Sequence, residues 1–249
     1  MIIIKSKEEI DKIEESCRIV AKILSQIKKV VIPGIKTVQL EEMALEMMDQ
    51  EGCVSAFKGY NGYPAGICVS VNDVVVHGIP GKYCLQKEDI VSVDVGVLKN
   101  GYYGDAAATF TAGKAVEKDA RLIETTEKAL ENGIARARAG NRLIDISGAV
   151  EDTVREAGYS VVRDFVGHGI GQQLHEDPQI TNFRTADKGP ILKPGMTLAI
   201  EPMVNQGSYE VKIGKDGWTV KTKDGQKSAH FEHTIVITDK DPKILSSVC

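Results

Sequence analysis

Residues 34–52 read GIKTVQLEEMALEMMDQEG, and residues 140–158 read GNRLIDISGAVEDTVREAG. Both stretches are bounded by glycines and both span the same length, 106 residues apart. In the first, Leu40, Met43, Ala44, Met47 and Met48 recur at helical spacing, so a helix from about Thr37 ends at Gly52. In the second, a helix covers about Asp145 to Ala157 and ends at Gly158. A longer helix precedes each. Ser6 and Glu9 form a capping box before Ile10, Ile13, Cys17, Val20, Ala21, Leu24 and Ile27, and Pro33-Gly34 stops that helix. The counterpart runs from about Lys118 to Arg138 and stops at Gly140. Strand-like segments follow, Cys53–Phe57 in one half and Tyr159–Arg163 in the other. The pattern predicts one α+β domain over residues 1–249, built from two related halves, approximately 6–115 and 116–240.

Composition narrows the function. No apolar run approaches the ~18 residues of a membrane span, and Met1–Lys5 is too short for a secretory signal. The net charge is −4, with Lys and Arg scattered among acids, which argues against nucleic acid as a ligand. The five cysteines, Cys17, Cys53, Cys68, Cys84 and Cys249, are odd in number and form no C-x-x-C pair. No glycosylation sequon occurs, so a reduced cytoplasmic setting is expected.

The strands carry acids where a half-buried face is expected. Val91-Ser92-Val93-Asp94-Val95-Gly96-Val97 alternates, with valines on one face and Asp94 on the other. Asn100-Gly101 is a hairpin turn signal, which sets Asp105 across from Asp94. In the second half the matching strands are Thr197–Ile200, which leads into Glu201, and Phe231–Thr238, which contains Glu232. Residues 205–229 are expected to form exposed hairpins that carry Trp218. The 106-residue offset takes Asp94 to position 200, next to Glu201. One strand acid can be a local ion pair. Four converging carboxylates repel one another strongly, and cations are the remedy.

Gly167-His168-Gly169-Ile170-Gly171 holds an imidazole in what reads as a glycine-rich, sterically open loop, and His77 precedes the turn Gly78-Ile79-Pro80. Four acids and one imidazole suit two divalent ions such as Mn, Fe, Co or Zn. Paired metals about 3.5–4 Å apart share a hydroxide and polarise a carbonyl in many hydrolases. His233 is read as a core or supporting residue, because it falls on the strand face opposite Glu232. The glycine loop lacks the lysine of a phosphate loop, and neither H-E-x-x-H nor G-x-S-x-G is present.

The ordered set His77-Gly-Ile-Pro, Asp94, Gly104-Asp105, the 167–171 motif, His175, Glu201-Pro202-Met203 and Glu232-His233-Thr234 resembles the type I methionine aminopeptidases over about residues 5–240. The resemblance implies a pita-bread fold, with curved antiparallel strands inside and helices outside. It implies that Asp94 chelates one metal, that Asp105 and Glu232 bridge two, and that His168 and Glu201 complete the other site. It implies attack by a metal-bridging hydroxide on the first peptide bond of a nascent chain. Glu201 would shuttle the proton, His175 would stabilise the oxyanion, and His77 would bind the amide nitrogen and help the leaving group. The methionine pocket would be formed by Phe57, Tyr60, Tyr63, Cys68, Leu174 and Trp218, and sulfur against aromatic rings is a favourable contact.

Phe57 stands where the family often has cysteine, Leu174 where Phe is frequent, and His230 where Gln is frequent. No zinc-finger extension is expected, and the separation of 26 positions from His175 to Glu201 leaves no room for the helical insertion of type II enzymes. The resemblance further implies nascent N-termini with a small second residue as substrates, contact with the ribosome, no nucleic-acid or membrane partner, and a monomer. Two other readings remain open. Prolidases and aminopeptidases P share the five ligands but usually carry a further N-terminal domain of ~100 residues or more. A binding module without metals is disfavoured because all five ligands are present.

Overall fold

The computed structural model describes residues 1–247. Cys249, for which the sequence suggests no role, lies outside them. The first half opens with α1 (Lys7–Val30) and α2 (Thr37–Gln50). Strands β1 (Val54–Ser55), β2 (Cys68–Val71), β3 (Val74–Val76), β4 (Ile90–Lys99) and β5 (Tyr102–Thr111) follow. The second half repeats the order with α3 (Glu117–Arg136), α4 (Leu143–Glu156), β6 (Ser160–Val161), β7 (Gly167–Gly169), β8 (Glu176–Ile180), β9 (Thr197–Ile200) and β10 (Met203–Asn205). It closes with β11 (Val211–Ile213), β12 (Val220–Thr222), β13 (Ser228–His230), β14 (His233–Val236) and β15 (Lys243–Ile244).

Local chemistry explains the helices. The Glu9 amide donates to Ser6 Oγ at 3.3 Å and the Ser6 amide donates to Glu9 Oε2 at 2.8 Å, so two otherwise unpaired donors at the start of α1 are satisfied. One stripe of α1, including Ile13, Ile23 and Ile27, is fully buried. Each such side chain stabilises the fold by ~1.5–3 kcal/mol relative to exposure. Val91, Val93, Val95 and Val97 of β4 join this core with residues of α1 and α2. Asn100 and Gly101 both have positive φ, 51° and 80°, which gives the tight turn that the right-handed strand twist favours.

Helices α2 and α4 start 106 residues apart and each holds 14 residues; β1 and β6 keep the same spacing. Further along the spacing grows by one. The Gly34 amide donates to the Leu85 carbonyl, whereas the Gly140 amide donates to that of Leu192, 107 residues on. The extra residue lies between β6 and Leu192. It explains why a strict 106-residue shift from Asp94 lands one short of Glu201.

The strands form four small antiparallel sheets, in the orders β1-β4-β2 with β5 on β4, β13-β10-β6, β11-β12-β3, and β15-β14-β9-β7-β8. Two adjacent chains pass between sheets together. β9 gives way to β10 at Glu201-Pro202, and β13 to β14 at Phe231-Glu232. Ile200 pairs with His233 before the break and Met203 with His230 after it. The strand expected over 231–238 therefore begins only at His233, with the break at Phe231-Glu232. Pro202 has no amide to donate, and the Glu232 amide turns away to the Ala107 carbonyl at 2.9 Å.

That turn joins the halves. Thr109 Oγ1 donates to the His230 carbonyl at 2.7 Å and accepts from the His230 amide at 2.9 Å. Thr234 Oγ1 donates to the Asp105 carbonyl at 2.7 Å. Alternate residues of β5 thus meet alternate residues of the second half, and Asp105 and Glu232 are carried to one place. Among the described residues, no helix is long and apolar enough to cross a membrane.

Candidate metal centre and adjoining pocket

Asp94 sits midway along β4 on the face opposite the buried valines, paired with Ala107. Asp105 pairs with Gly96, so it is the diagonal neighbour of Asp94 and not the residue directly across, as the sequence suggested. Diagonal neighbours share a face, and the period-2 alternation points both carboxylates the same way.

The 167–171 segment also differs from its reading as an open loop. Residues 167–169 form β7, between β8 and β9. A Cβ on Gly169 would lie 2.2 Å from the Asp177 carbonyl oxygen. Glycine is needed there because a neighbouring backbone occupies the side-chain space. The close packing holds His168 rigidly, 7% exposed. Its Nδ1 faces the Gly169 carbonyl at 2.9 Å, so that nitrogen carries the hydrogen and Nε2 keeps its lone pair. Burial, with His175 alongside, pushes the His168 pKa down to about 3.

The acids converge as expected. Asp105 and Glu232 are only 3% and 2% exposed. Asp94 Oδ1, Asp105 Oδ1, Glu232 Oε1 and His230 Nε2 are buried without a hydrogen-bond partner. Unpaired buried carboxylates cost several kcal/mol each unless a proton or cation compensates. Burial pushes Asp94 up to about 7 and Glu201 up to about 8. Burial, with repulsion among the acids, holds Asp105 and Glu232 well above the carboxylate range. Two groups bring their ligand atoms within 4.8 Å of one another: Asp105, His168 and Glu232, and Glu201, His230 and Glu232. They share Glu232. The two oxygens of Glu201 face different imidazoles, Oε1 at 3.5 Å from His168 Nε2 and Oε2 at 3.7 Å from His230 Nε2. Asp94 stands outside both groups but lines the same cleft. The orphaned oxygens and the oxygen-plus-imidazole donor set fit divalent cations such as Mn, Fe, Co or Zn.

The cleft has a second, apolar end. Phe57, Tyr63, Cys68 and Leu174 are buried together with Ala56, Ala65 and Ile170, and Tyr60 and Trp218 pack against them. Tyr63 and Trp218 meet edge to face, 5.2 Å between centroids. The Tyr63 hydroxyl donates to the Gly78 carbonyl at 3.0 Å, which ties the pocket wall to the turn after His77. His77 has a positive φ of 57° and packs edge-on against Phe165 at 5.4 Å. Burial, with His230 and His175 nearby, pushes its pKa down to about 4, so it is neutral at pH 7. His175 stands at the open side, its ring 4.4 Å from that of His168 and its Nδ1 2.7 Å from the Tyr60 hydroxyl.

All thirteen site residues named from the sequence line this one cleft, which holds about 510 Å³ not filled by atoms. His233 lies apart, its Nδ1 2.8 Å from Ser246 Oγ. The residue that sequence reasoning left out is His230. The sequence marks it only as standing where Gln is frequent; its further signal is its place two residues before Glu232, on the face that strand alternation would share.

The metallopeptidase family M24 model matches residues 11–239. Methionine aminopeptidase 1 of Bacillus subtilis is 50% identical over 248 residues, covering all of both chains. The methionine aminopeptidase of Escherichia coli K12 is 42% identical over 98% of this chain and 94% of its own. The crystal structure of the Thermotoga maritima methionine aminopeptidase superposes with a TM-score of 0.98 at 46% identity, covering all of both chains. Prolidase from Pyrococcus furiosus shares the fold alone, with a TM-score of 0.82 at 24% identity over 66% of that chain. The carboxylate–imidazole cluster sits inside the pita-bread frame these structures share, and the chain belongs to metallopeptidase family M24, on the branch of the methionine aminopeptidases.

Proposed function

We propose that this chain is a metalloaminopeptidase that removes N-terminal methionine from polypeptides with a small second residue. The observation that carries the reading is the joining of two unlike ends in one cleft. A rigid apolar pocket of thiol and aromatic side chains abuts a cluster of unpaired carboxylates and imidazoles. An unbranched thioether suits the first, and polarisable, aromatic-lined surroundings favour its sulfur.

Two divalent ions would be held by Asp94, Asp105, His168, Glu201 and Glu232. When bound, the ions supply Lewis acidity toward the scissile carbonyl and acidify a water molecule. The residues do the rest. Glu201, with a carboxyl that burial brings toward neutral pH, holds and hands on the proton that the attacking water gives up. His175 faces the open side of the cleft and, fixed through Nδ1 by Tyr60, presents its other nitrogen to the developing oxyanion. His77, kept neutral, donates to or accepts from the leaving amide nitrogen. Nascent chains as they leave the ribosome are the proposed substrates, and the cytoplasm the proposed location. Mn, Fe, Co and Zn all satisfy the donor set.

The test is release of free methionine from Met-Gly-Met and Met-Leu-Met by metal-stripped protein titrated with Mn or Co. Turnover of the first peptide only, dependent on added metal, is expected. Cleavage of Gly-Pro with silence on both methionine peptides would move the protein to the prolidase reading. Silence on all three despite bound metal would leave a binding module.

A further inference from the structure

We propose that His230 is itself a metal ligand, a second imidazole of the centre in addition to His168. The inference rests on the dinuclear reading above. His230 ends β13, where both its amide and its carbonyl are fastened to Thr109 Oγ1, so its backbone direction is fixed. The side chain is 2% exposed and its Nε2 finds no hydrogen-bond partner. A buried imidazole nitrogen left unpaired is costly, and a native fold keeps one only where something compensates it.

The distances say what compensates it. His230 Nε2 lies 3.7 Å from Glu201 Oε2, too far for a hydrogen bond. It is about the separation of two atoms sharing one ion at bonds of ~2.0–2.2 Å and angles near tetrahedral. The same carboxylate stands in the same relation to His168 through its other oxygen, at 3.5 Å. Glu201, His230 and Glu232 form a three-atom group as compact as Asp105, His168 and Glu232. Glu201 thus lies between two imidazoles, one at each oxygen. His230 reaches it from the protein side and does not line the open cleft, so ligation would leave the substrate pocket free. An added nitrogen ligand raises affinity for Co and Zn more than for the harder, oxygen-preferring Mn.

The experiment counts imidazoles. Metal-stripped protein is loaded with two equivalents of Co(II), and the paramagnetically shifted, solvent-exchangeable imidazole N–H resonances are recorded by proton NMR. Affinities for Co, Zn and Mn are measured by chelator competition. Two such resonances are expected in the unaltered protein and one in His230→Gln. The variant should bind Co and Zn roughly 10–100-fold more weakly, the scale set by groups that support a metal site, with a smaller change for Mn. A single resonance in the unaltered protein would overturn the proposal while leaving metal binding intact. It needs no variant, so a poorly folding His230→Gln does not blunt the test. Equal affinities in both proteins would overturn it too and reduce His230 to a support for Glu201. Failure to bind cobalt at all would instead bring down the metal reading beneath it.

Discussion

Thr234 Oγ1 donates a hydrogen bond of 2.7 Å to the backbone carbonyl of Asp105, across 129 residues of sequence. With the Glu232 amide on the Ala107 carbonyl, it sets the seam between the halves in the register that brings Asp105 and Glu232 together. Thr234 is fully buried, so nothing replaces its hydroxyl if it is removed. Thr234→Val keeps the shape and leaves the Asp105 carbonyl unpaired. The expected cost is ~1–3 kcal/mol in denaturant unfolding, together with weaker metal binding. Unchanged metal affinity would show that the ligand register is held by other contacts.

Asp105 gains from a cation, because burial and the neighbouring carboxylates both oppose its charge. Asp105→Asn removes a proposed metal ligand and also relieves repulsion. Peptide turnover should fall below detection, while the metal-free variant melts no lower than the metal-free parent at pH 8. A variant that still turns over peptide would contradict that role.

Metal binding should be strongly pH-dependent. Asp94 and Glu201 are pushed up to about 7 and about 8, and a cation needs them ionised. Binding at pH 7 should therefore release protons, and affinity should rise from pH 6 to pH 8. Calorimetry in buffers of different ionisation enthalpy measures both. The stability of the metal-free protein follows the same signs. An acid whose folded pKa is raised stays protonated in the folded state while the unfolded chain has already ionised. Such a group favours folding at low pH and loses that advantage as pH climbs through its folded value. Below about pH 6.5 the buried neutral histidines work the other way, since the unfolded chain takes up their protons. Between pH 7 and 8 only the acids remain in play, and metal-free stability should decline there. A flat profile in that window would mean that the carboxylates are already ionised without metal.

His175 belongs to neither three-ligand group, and Tyr60 holds its Nδ1 at 2.7 Å. His175→Ala should lower kcat by about 10²-fold or more, the scale for losing an oxyanion donor, without loss of metal. Tyr60→Phe removes only the hydrogen bond that orients the ring, and a loss of up to about tenfold is expected. Loss of bound metal in His175→Ala would place the imidazole on the ion instead.

Much of the site was legible because its acids break a strong pattern. Asp94 stands out as a charge in a run of alternating valines, and Glu201 as a charge closing an apolar strand. His230 was not legible in this way. It shares alternation with Glu232 only if the strand is continuous, and the chain turns at Phe231-Glu232 to bond with Ala107. With Asn100 and Gly101 as the two loop residues, Lys99 faces Tyr102 and Gly96 faces Asp105, so the turn itself sets Asp105 a shift of two from the position facing Asp94. Side-chain spacing alone does not resolve that shift, because both registers keep the two acids on one face.

What the sequence determined by itself is the set of local preferences: four helices with their stops, the alternation that sends valines inward and Asp94 outward, and the repeat that pairs the halves. These follow from interactions within a few residues, where capping, turn chemistry and periodicity act. Tertiary structure alone decided what the long-range contacts decide. The Asp177 backbone fills the space beside Gly169 and turns an apparently open loop into a packed strand. The β5 seam sets Asp105 beside Glu232, and the same seam aims His230 at Glu201. The seam contacts join residues more than a hundred positions apart, and their geometry exists only once the two halves have closed on each other.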